Sequence, residues 1–358
     1  MNNASEESPG GPDRAGTGDW TEPGVYEVGP GVHRMPLPLP MDALRAVNVY
    51  ITETDQGLVL IDGGWAIPQA QELFVSGLRK LGYTSRDITR FLVTHVHRDH
   101  YTQAYVVGQE TGAEVSLGIG EKASLDIMHS DELAEDPNID RLVRAGAVEV
   151  AEAWRAMFHG QVRPSMDDYG YPSTWLDQDF SIDFGSRQVL AVSTPGHTQG
   201  HYVFADQEAN LLFAGDHVLP TITPSIGFEP AWVEQPLRDF LESLAKVRAL
   251  PDLKLLPAHG PVADSSHARV DELLAHHEHR LQQCIEAVDQ GASTAWEVAA
   301  LIPWTKRDRT RDELGPFDQV MAAFETLAHL DLLALQGRIS LQQDGQTRLY
   351  QSSHLTDK

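Results

Sequence analysis

A short run of metal-ligating side chains constrains this chain more than any other feature of its sequence. Residues His95 to His100 hold three imidazoles and one carboxylate, and the apolar run Phe91-Leu92-Val93 stands just before them. Neutral imidazole and carboxylate are common ligands of zinc and similar divalent ions. The pattern therefore predicts a strand that delivers a loop of metal ligands, namely His95, His97, Asp99 and His100.

Further candidate ligands follow downstream, each at the end of an apolar run or in a turn beside one. His197 stands in a turn rich in proline and glycine, Asp216 follows an apolar run at 211–214, and His259 comes soon after Leu255-Leu256. Side chains at strand ends are held by a rigid scaffold, as a preorganised metal site requires. We therefore expect these three residues to join the first group.

Other segments carry secondary-structure signals. Composition and spacing predict strands over Val25–Leu37 and Ile88–Thr94, the second leading into the candidate ligand loop. Helical spacing predicts helices over Tyr101–Thr111, Ile139–Phe158 and Ser265–Gln290. This alternation indicates an α/β protein in which helices cover sheets.

Taken together, the motifs closely resemble those of the metallo-β-lactamase superfamily, over roughly residues 25–262. In chain order they are Asn48-Val49-Tyr50, Ile61-Asp62-Gly63-Gly64, HxHxDH from His95, a GHTxGH-like turn at His197, Gly215-Asp216-His217 and Ala258-His259-Gly260. The resemblance implies a four-layer αβ/βα sandwich with a metal centre.

Carried over position by position, the resemblance implies two metal pockets. It assigns a first divalent ion to His95, His97 and His197, and a second to Asp99, His100 and His259. Asp216 would bridge the two ions, and Asp99 and Asp216 are the residues expected to act in catalysis. Zinc is the favoured metal, with iron and manganese as alternatives. A hydroxide shared by the ions would then be the nucleophile.

Residues beside the ligands are expected to support them. By the resemblance, Asp62 holds the ligand loop through hydrogen bonds, whereas His201 and His217 match no ligand position and are interpreted as supporting or structural residues. The cluster at 276–279 (His-His-Glu-His) is interpreted as a solvated helix face. The single cysteine, Cys284, excludes an intramolecular disulfide and a thiolate metal site.

The long stretch between His100 and His197 predicts an insertion, mainly helical, at about residues 120–178 and folded over the mouth of the site. Two interpretations of its large side chains stay open: they line an apolar acyl pocket, or they form the insertion's own core. These side chains are Met166, Tyr169, Tyr171 and Trp175. Tyr101, where many family members carry an apolar residue, is either a hydrogen-bond donor to the substrate or a residue of the helix start.

Composition divides the chain into three parts. Residues 1–20, rich in glycine, serine and proline, are predicted to be a disordered leader. By the resemblance, residues 21–263 are expected to form the metallo-β-lactamase-like domain, and residues 264–358 a helical C-terminal domain. The latter resembles the winged-helix-like tail of a beta-lactamase-like endoribonuclease branch. No stretch approaches the ~18 apolar residues of a membrane span, so a cytoplasmic protein is expected. A homodimer is left open.

Charge narrows the classes of substrate. The chain has 52 acidic and 27 basic side chains and a net charge of −25, which repels a phosphate backbone. A small-molecule substrate is therefore expected, and nucleic acid is not. The leading hypothesis is a dinuclear hydrolase that cleaves an ester, thioester or lactone of a small, partly apolar substrate. The alternatives are an endoribonuclease-like hydrolase that processes nucleic acid, a mononuclear iron sulfur dioxygenase, and a non-catalytic sensor.

Overall fold

Two mixed β-sheets, with helices packed on them, make up the part of the chain for which a structure is described. The computed structural model describes residues 19–40, 43–130, 136–158, 166–305 and 307–353. The expected leader therefore lies outside the described residues, except for its last two positions.

The first sheet has seven strands that lie side by side in chain order. They are Tyr26–Gly29 (β1), Val32–Pro38 (β2), Ala46–Thr54 (β3), Gly57–Ile61 (β4), Ile88–Leu92 (β5), Glu114–Gly118 (β6) and Thr174–Leu176 (β7). Strands β1 to β4 pair in antiparallel fashion, and β4 to β7 are parallel. The segment Val25–Leu37, predicted as one strand, is a hairpin of two strands because the backbone turns at Gly31, where φ is +64°.

The second sheet has five strands, in the spatial order β12-β11-β10-β9-β8. They are Phe180–Asp183 (β8), Gln188–Ser193 (β9), Tyr202–Asp206 (β10), Leu211–Gly215 (β11) and Lys254–Pro257 (β12). Only the β11–β12 pair is parallel within this sheet. Both sheets are therefore mixed, and strands β5, β11 and β12 each end just before a predicted ligand.

Helices connect and cover the sheets. They are Pro68–Lys80 (α1), Arg98–Thr111 (α2), Lys122–His129 (α3), Asn138–Arg144 (α4), Val148–Phe158 (α5), Pro236–Ala249 (α6), Ser266–Asp289 (α7), Ala295–Leu301 (α8) and Pro316–Leu335 (α9). Proline opens α1, α6 and α9, since its fixed φ suits the first helical turn. None of these described helices is long and apolar enough to cross a membrane.

Three apolar clusters show how the layers pack. One lies between the sheets and joins Tyr50 and Leu92 to Phe204 and Phe213. A second lies between the first sheet and helices α1 and α2, around Phe74. Burial of each such aromatic side chain contributes about 1.5–3 kcal/mol. The sheets thus face each other, and helices cover the outer face of the first sheet.

The third cluster covers the outer face of the second sheet. It contains side chains of α6, α7, α8 and α9, together with Ile139 and Leu142 of α4 and Ala151 of α5. Helices α4 and α5 of the expected insertion therefore pack with the C-terminal helices. The 3-10 helix Asp167–Tyr169 of the insertion instead packs on α2.

The C-terminal part consists of α7, α8 and α9, followed by an antiparallel hairpin of Ile339–Asp344 (β13) and Thr347–Ser352 (β14). The prediction of a solvated helix face at residues 276–279 is wrong for His277, which is fully buried beside His329 of α9. The expectation failed because α7 is covered by α9 on that side. Cys284 is buried.

Candidate metal centre

The ligand loop begins where β5 ends. Residues 93–97 leave the sheet edge, His97 is the N-cap residue of α2, and Asp99 lies in the first turn of that helix. An acidic side chain is favourable there because the N-terminus of a helix carries partial positive charge. The loop is therefore short and held at both ends by regular structure.

Three imidazoles and one carboxylate form a first group. His95 Nε2 lies 2.9 Å from His97 Nδ1, and His197 Nε2 lies 3.3 Å and 3.1 Å from those two atoms. Asp216 Oδ2 is 3.6 Å from His197 Nε2. The turn after β9 and the end of β11 thus bring two distant residues onto the loop after β5.

A second group lies beside the first. Asp99 Oδ2 is 3.6 Å from His100 Nε2 and 3.3 Å from His259 Nε2. Asp216 Oδ1 is 3.6 Å from the first of these nitrogens and 3.3 Å from the second. Asp216 therefore stands between the groups, with one carboxylate oxygen facing each.

In every imidazole of the two groups, the nitrogen that faces away from the centre contacts a fixed partner. The partners are Thr94 Oγ1 for His95 (3.1 Å), Phe228 O for His97 (3.0 Å), Asp62 Oδ2 for His100 (2.9 Å), Ser225 O for His197 (2.8 Å) and Ala46 O for His259 (2.8 Å). Such outer partners fix the tautomer and the ring orientation of metal-binding histidines.

Asp62 forms hydrogen bonds with Thr94 and His100. Its Oδ1 accepts the Thr94 backbone N–H at 2.7 Å, and its Oδ2 contacts Thr94 Oγ1 at 3.1 Å and His100 Nδ1. Asp62 is buried and adopts φ of +63°, a conformation that costs energy for a residue other than glycine. Its hydrogen bonds hold that backbone in place.

His201 and His217 lie behind the ligands. His201 Nε2 accepts the Asp216 backbone N–H at 3.2 Å, its Nδ1 contacts Thr194 Oγ1 at 2.9 Å, and its ring stacks on His95. His217 is fully buried and packs between His201 and Phe240. Neither residue belongs to the two groups.

The electrostatics of the two groups differ. Burial and the neighbouring imidazoles lower the pKa of His95 well below 6.5 and that of His197 to about 4. Burial also opposes a charge on His100, but the carboxylates of Asp62, Asp99 and Asp216 raise its pKa to about 10. The first group thus favours neutral imidazoles, whereas the second attracts positive charge.

The atoms that face the centre fit divalent cations. His100 Nε2, His259 Nε2 and Asp216 Oδ1 are buried without a hydrogen-bond partner among the described residues. Buried polar atoms ordinarily have a partner. All donor atoms within each group lie within 4.8 Å of one another. Nitrogen and carboxylate oxygen donors in this arrangement are consistent with two adjacent metal positions.

The expected substrate-pocket residues occupy different places. Tyr101 is fully buried, and its hydroxyl donates to Gly170 O at 2.5 Å. Tyr169 is half-buried against Tyr101, and Trp175 lies on β7 against the cluster of the first sheet. Tyr171 is exposed and donates to Asp126 Oδ1 at 2.6 Å.

Met166 is half-buried and precedes the 3-10 helix Asp167–Tyr169. Burial and, to a smaller extent, the negative charge of Asp99 raise the pKa of the Tyr169 hydroxyl.

Sequence reasoning did not identify the residues that support the His97 and His197 side chains. Ser225 and Phe228 do so through backbone carbonyls, which any residue type carries. Two buried acids, Glu121 and Glu229, contact the turn that carries His197. In the sequence, an isolated acid shows no sign of such a role, although Gly118-Ile119-Gly120 just before Glu121 indicates a close backbone approach.

The comparison with known proteins agrees with this geometry. The sequence profile of the metallo-beta-lactamase superfamily matches residues 42–259. The chain is 25% identical to Beta-lactamase-like protein 2 homolog of Caenorhabditis elegans over 270 residues, which cover 74% of each protein. It is 28% identical to Lactamase-like protein nscB of Aspergillus fumigatus over 294 residues, or 76% of this chain and 71% of that protein.

Solved structures of similar proteins have the same fold. A metallo-beta-lactamase family protein of Thermus thermophilus is 27% identical, with a TM-score of 0.67, over 90% of this chain and 99% of that one. A beta-lactamase domain protein of Burkholderia ambifaria shares the fold, with a TM-score of 0.71 over 92% and 93% of the two chains at 24% identity. Because the family profile covers more than half of the sequence and the fold agrees, this chain belongs to the metallo-beta-lactamase superfamily.

Proposed function

We propose that the chain is a dinuclear metal-dependent hydrolase that cleaves an ester, thioester or lactone of a small, partly apolar substrate. The observation that carries this proposal is the position of Asp216, whose two carboxylate oxygens face two separate groups of donor atoms. A single carboxylate in that position suits a pair of adjacent cations.

In this proposal His95, His97 and His197 would hold one ion, Asp99, His100 and His259 would hold a second, and Asp216 would contribute to both. Two such ions, for which we favour zinc over iron or manganese, would lower the pKa of a shared water molecule and polarise the carbonyl group under attack. The two sets of ligands would set the separation of the ions.

The side chains of the site have separate tasks in the reaction. The outward nitrogens of the imidazoles are held by fixed partners, so the donor atoms need little reorganisation when substrate arrives. Asp99 contacts its neighbours through Oδ2. We assign to Asp99 Oδ1 the acceptance of the proton that the attacking water releases, and to Asp216 the alignment of the two groups.

Charge supports a carbonyl substrate over a nucleic acid. The chain carries a net charge of −25, and a phosphodiester backbone would approach it against that field. Aromatic side chains of the insertion, Tyr169 among them, would suit a small and partly apolar acyl group. Small molecules are therefore the proposed partners.

The wider organisation is part of the proposal. Residues 21–263, with an insertion at about 120–178, would form the metallo-β-lactamase-like domain, and residues 264–358 a winged-helix-like domain. The order of α8, α9 and the β13–β14 hairpin supports the second assignment. The cytoplasmic location and the homodimer remain predictions from the sequence.

A substrate screen tests the proposal. Full-length protein loaded with zinc is assayed with a p-nitrophenyl ester, an acyl-thioester, a lactone and bis(p-nitrophenyl) phosphate. We expect at least one carbonyl substrate to react about tenfold faster than the phosphodiester, a difference of about 1.4 kcal/mol in activation free energy. Chelation should abolish turnover, and added zinc should restore it.

His95→Gln and His279→Gln provide a matched pair of variants. His95 belongs to the first group, whereas His279 is exposed on α7. We expect only the first substitution to abolish ester hydrolysis. Preference for the phosphodiester, or turnover that survives chelation, would contradict the proposed function.

A further inference from the structure

Two buried carboxyl groups contact the short turn that follows His197. Glu121, just after β6, accepts the hydroxyl hydrogen of Thr198 at 2.5 Å. Glu229 accepts the backbone N–H of Gln199 at 3.0 Å through Oε1, and the hydroxyl hydrogen of Ser124 at 3.1 Å through Oε2. Both acids are almost completely buried. Neither belongs to the two donor groups.

Close backbone contact brings Glu121 to this turn. A Cβ atom added at Gly118 would lie 1.9 Å from the carbonyl oxygen of Gly200, and one at Gly120 would lie 2.3 Å from that of Gln199. A Cβ at Gly200 would meet Glu121 Cγ at 2.4 Å. Only glycine fits at these positions, so the end of β6 and the turn are packed backbone against backbone.

Glu121 and Glu229 also influence each other electrostatically. Burial and the neighbouring Glu229 raise the pKa of Glu121 well above its usual range, whereas the Thr198 hydroxyl and the backbone N–H of Val96 act in the opposite direction. Glu121 Oε2 is buried without a hydrogen-bond partner among the described residues, so the bond from Thr198 to Oε1 is the contact that joins this carboxyl group to the turn after His197.

The segment that carries Glu229 also contacts the first donor group. Its neighbour Phe228 accepts a hydrogen bond from His97, and Ser225 accepts one from His197. In addition, Gly227 N–H donates to Gly196 O at 2.9 Å. The segment 225–229 thus contacts the first donor group at several points.

We propose that Glu121 and Glu229 are positioning residues that fasten the turn bearing His197 and the segment 225–229 that contacts His97, and so set the affinity of the first metal pocket without touching an ion. The inference rests on the proposed two-ion centre. The second pocket has other supports, since His100 is held by Asp62 and His259 by Ala46 O. Loss of either glutamate should therefore weaken one ion more than the other.

The test is a zinc titration of the full-length chain after chelation, in competition with a chromophoric chelator. Removal of a supporting residue behind metal ligands typically costs about 10–100-fold in affinity. We expect Glu121→Ala and Glu229→Ala each to weaken one zinc ion by about that factor and the other by less than about threefold. Glu121→Gln keeps an acceptor oxygen for Thr198 and should recover most of the loss.

Glu325→Gln is the matched control. The Glu325 carboxyl has a pKa raised by burial, but it lies on α9 and belongs to neither donor group. We expect it to leave both zinc affinities unchanged. Equal weakening of both ions in the glutamate variants, or no weakening, would overturn the inference. If Glu121→Ala does not fold, Glu121→Gln and Glu229→Gln are compared with Thr198→Val, which removes only the hydroxyl donor.

Measurements on the wild-type protein distinguish failure of the proposed function from failure of the positioning role. If it binds two zinc ions but hydrolyses no carbonyl substrate, the proposed function fails while the positioning role is still measured by the titration. If it binds fewer than two ions, both are overturned.

Discussion

At the scale of single residues, Asp216 is the side chain that joins the two donor groups. Its oxygens lie 3.3–3.6 Å from imidazole nitrogens of both groups. We expect Asp216→Ala to lower kcat/KM for an ester by at least ~100-fold, because the variant loses a donor to each proposed ion. Steady-state kinetics and metal content per chain are the measurements. Near-wild-type turnover in a correctly folded variant would contradict the two-ion mechanism.

Tyr101 has a structural contact that occupies its hydroxyl. That hydroxyl donates to Gly170 O in a buried setting. We expect Tyr101→Phe to destabilise the fold by about 1 kcal/mol and to change kcat/KM by less than about threefold. Thermal unfolding and ester kinetics of the variant measure the two effects. A large fall in kcat without loss of stability would instead restore the hypothesis of a substrate contact.

The candidate metal ligands that the sequence indicated most directly are those that stand close together along the chain. His95, His97, Asp99 and His100 stand in one dense run, and the structure gathers them with three distant residues. Glu121 could not be found this way, because a lone acid after a strand has many possible partners. Only the packing of β6 against the turn after His197 determines which partner it meets.

At the scale of elements, local sequence signals predict whether a segment is a helix or a strand better than they predict where it begins and ends. The predicted helix Ile139–Phe158 is two helices, α4 and α5, because the backbone at Gly146 has φ of +80°. Helix α2 begins three residues before the predicted Tyr101, since its first turn contains Asp99 and His100, which the sequence pattern assigned to a loop.

Helix α4 stabilises the segment beside the first donor group. Arg141 is buried and donates to the carbonyl oxygens of Gly227, Glu229 and Ala231 at 2.6–3.2 Å. A lysine cannot reproduce this fork of donors. We expect Arg141→Lys to lower the free energy of unfolding by about 1.5–3 kcal/mol, because carbonyl groups are left without a charged donor.

Arg144 on the same helix gives the matched control. Its guanidinium lies over the ring of Trp232, 4.7 Å from the centroid, and it donates to no described carbonyl group. We expect Arg144→Lys to cost less than about 1 kcal/mol, the range for an exposed cation–π contact. Urea denaturation of both variants makes the comparison. Equal losses would show that Arg141 has no special role in holding residues 227–231.

At the scale of the whole molecule, the net charge separates a small-molecule hydrolase from a nuclease. With a net charge of −25, we expect kcat/KM for a neutral ester to vary by less than about twofold between 50 and 200 mM salt. A protein that contacts 6–10 phosphates loses about 10³–10⁵ in affinity over that range. Tight, salt-sensitive binding of single-stranded RNA would therefore contradict the proposed substrate class.

The core between α7 and α9 contains a pair of buried histidines. His277 Nδ1 lies 3.2 Å from His329 Nε2, and the rings stack. Burial lowers the pKa of His329 to about 3 and that of His277 well below 6.5. Both are neutral in the folded protein, whereas the unfolded chain protonates them near pH 6.5.

This pair predicts a loss of stability in acid. Since the unfolded state binds more protons below pH 6.5, the stabilisation is complete above that value and falls as pH decreases toward about 3. Asp331 has the opposite effect on stability. Burial raises its pKa to about 6, so its contribution to the free energy of unfolding increases as pH decreases. Each buried histidine contributes a slope of about 1.4 kcal/mol per pH unit. His329→Gln should therefore reduce the slope of unfolding free energy between about pH 4.5 and 6 by that amount.

Urea denaturation with excess chelator measures the slope without a contribution from metal binding. His279→Gln, on the exposed face of α7, should leave the slope unchanged because its imidazole meets water in both states. The comparison isolates burial as the cause, since both variants remove one imidazole. If the His329→Gln slope equals that of the wild type, the folded protein must already protonate His329 in this range, and the neutral buried pair is excluded.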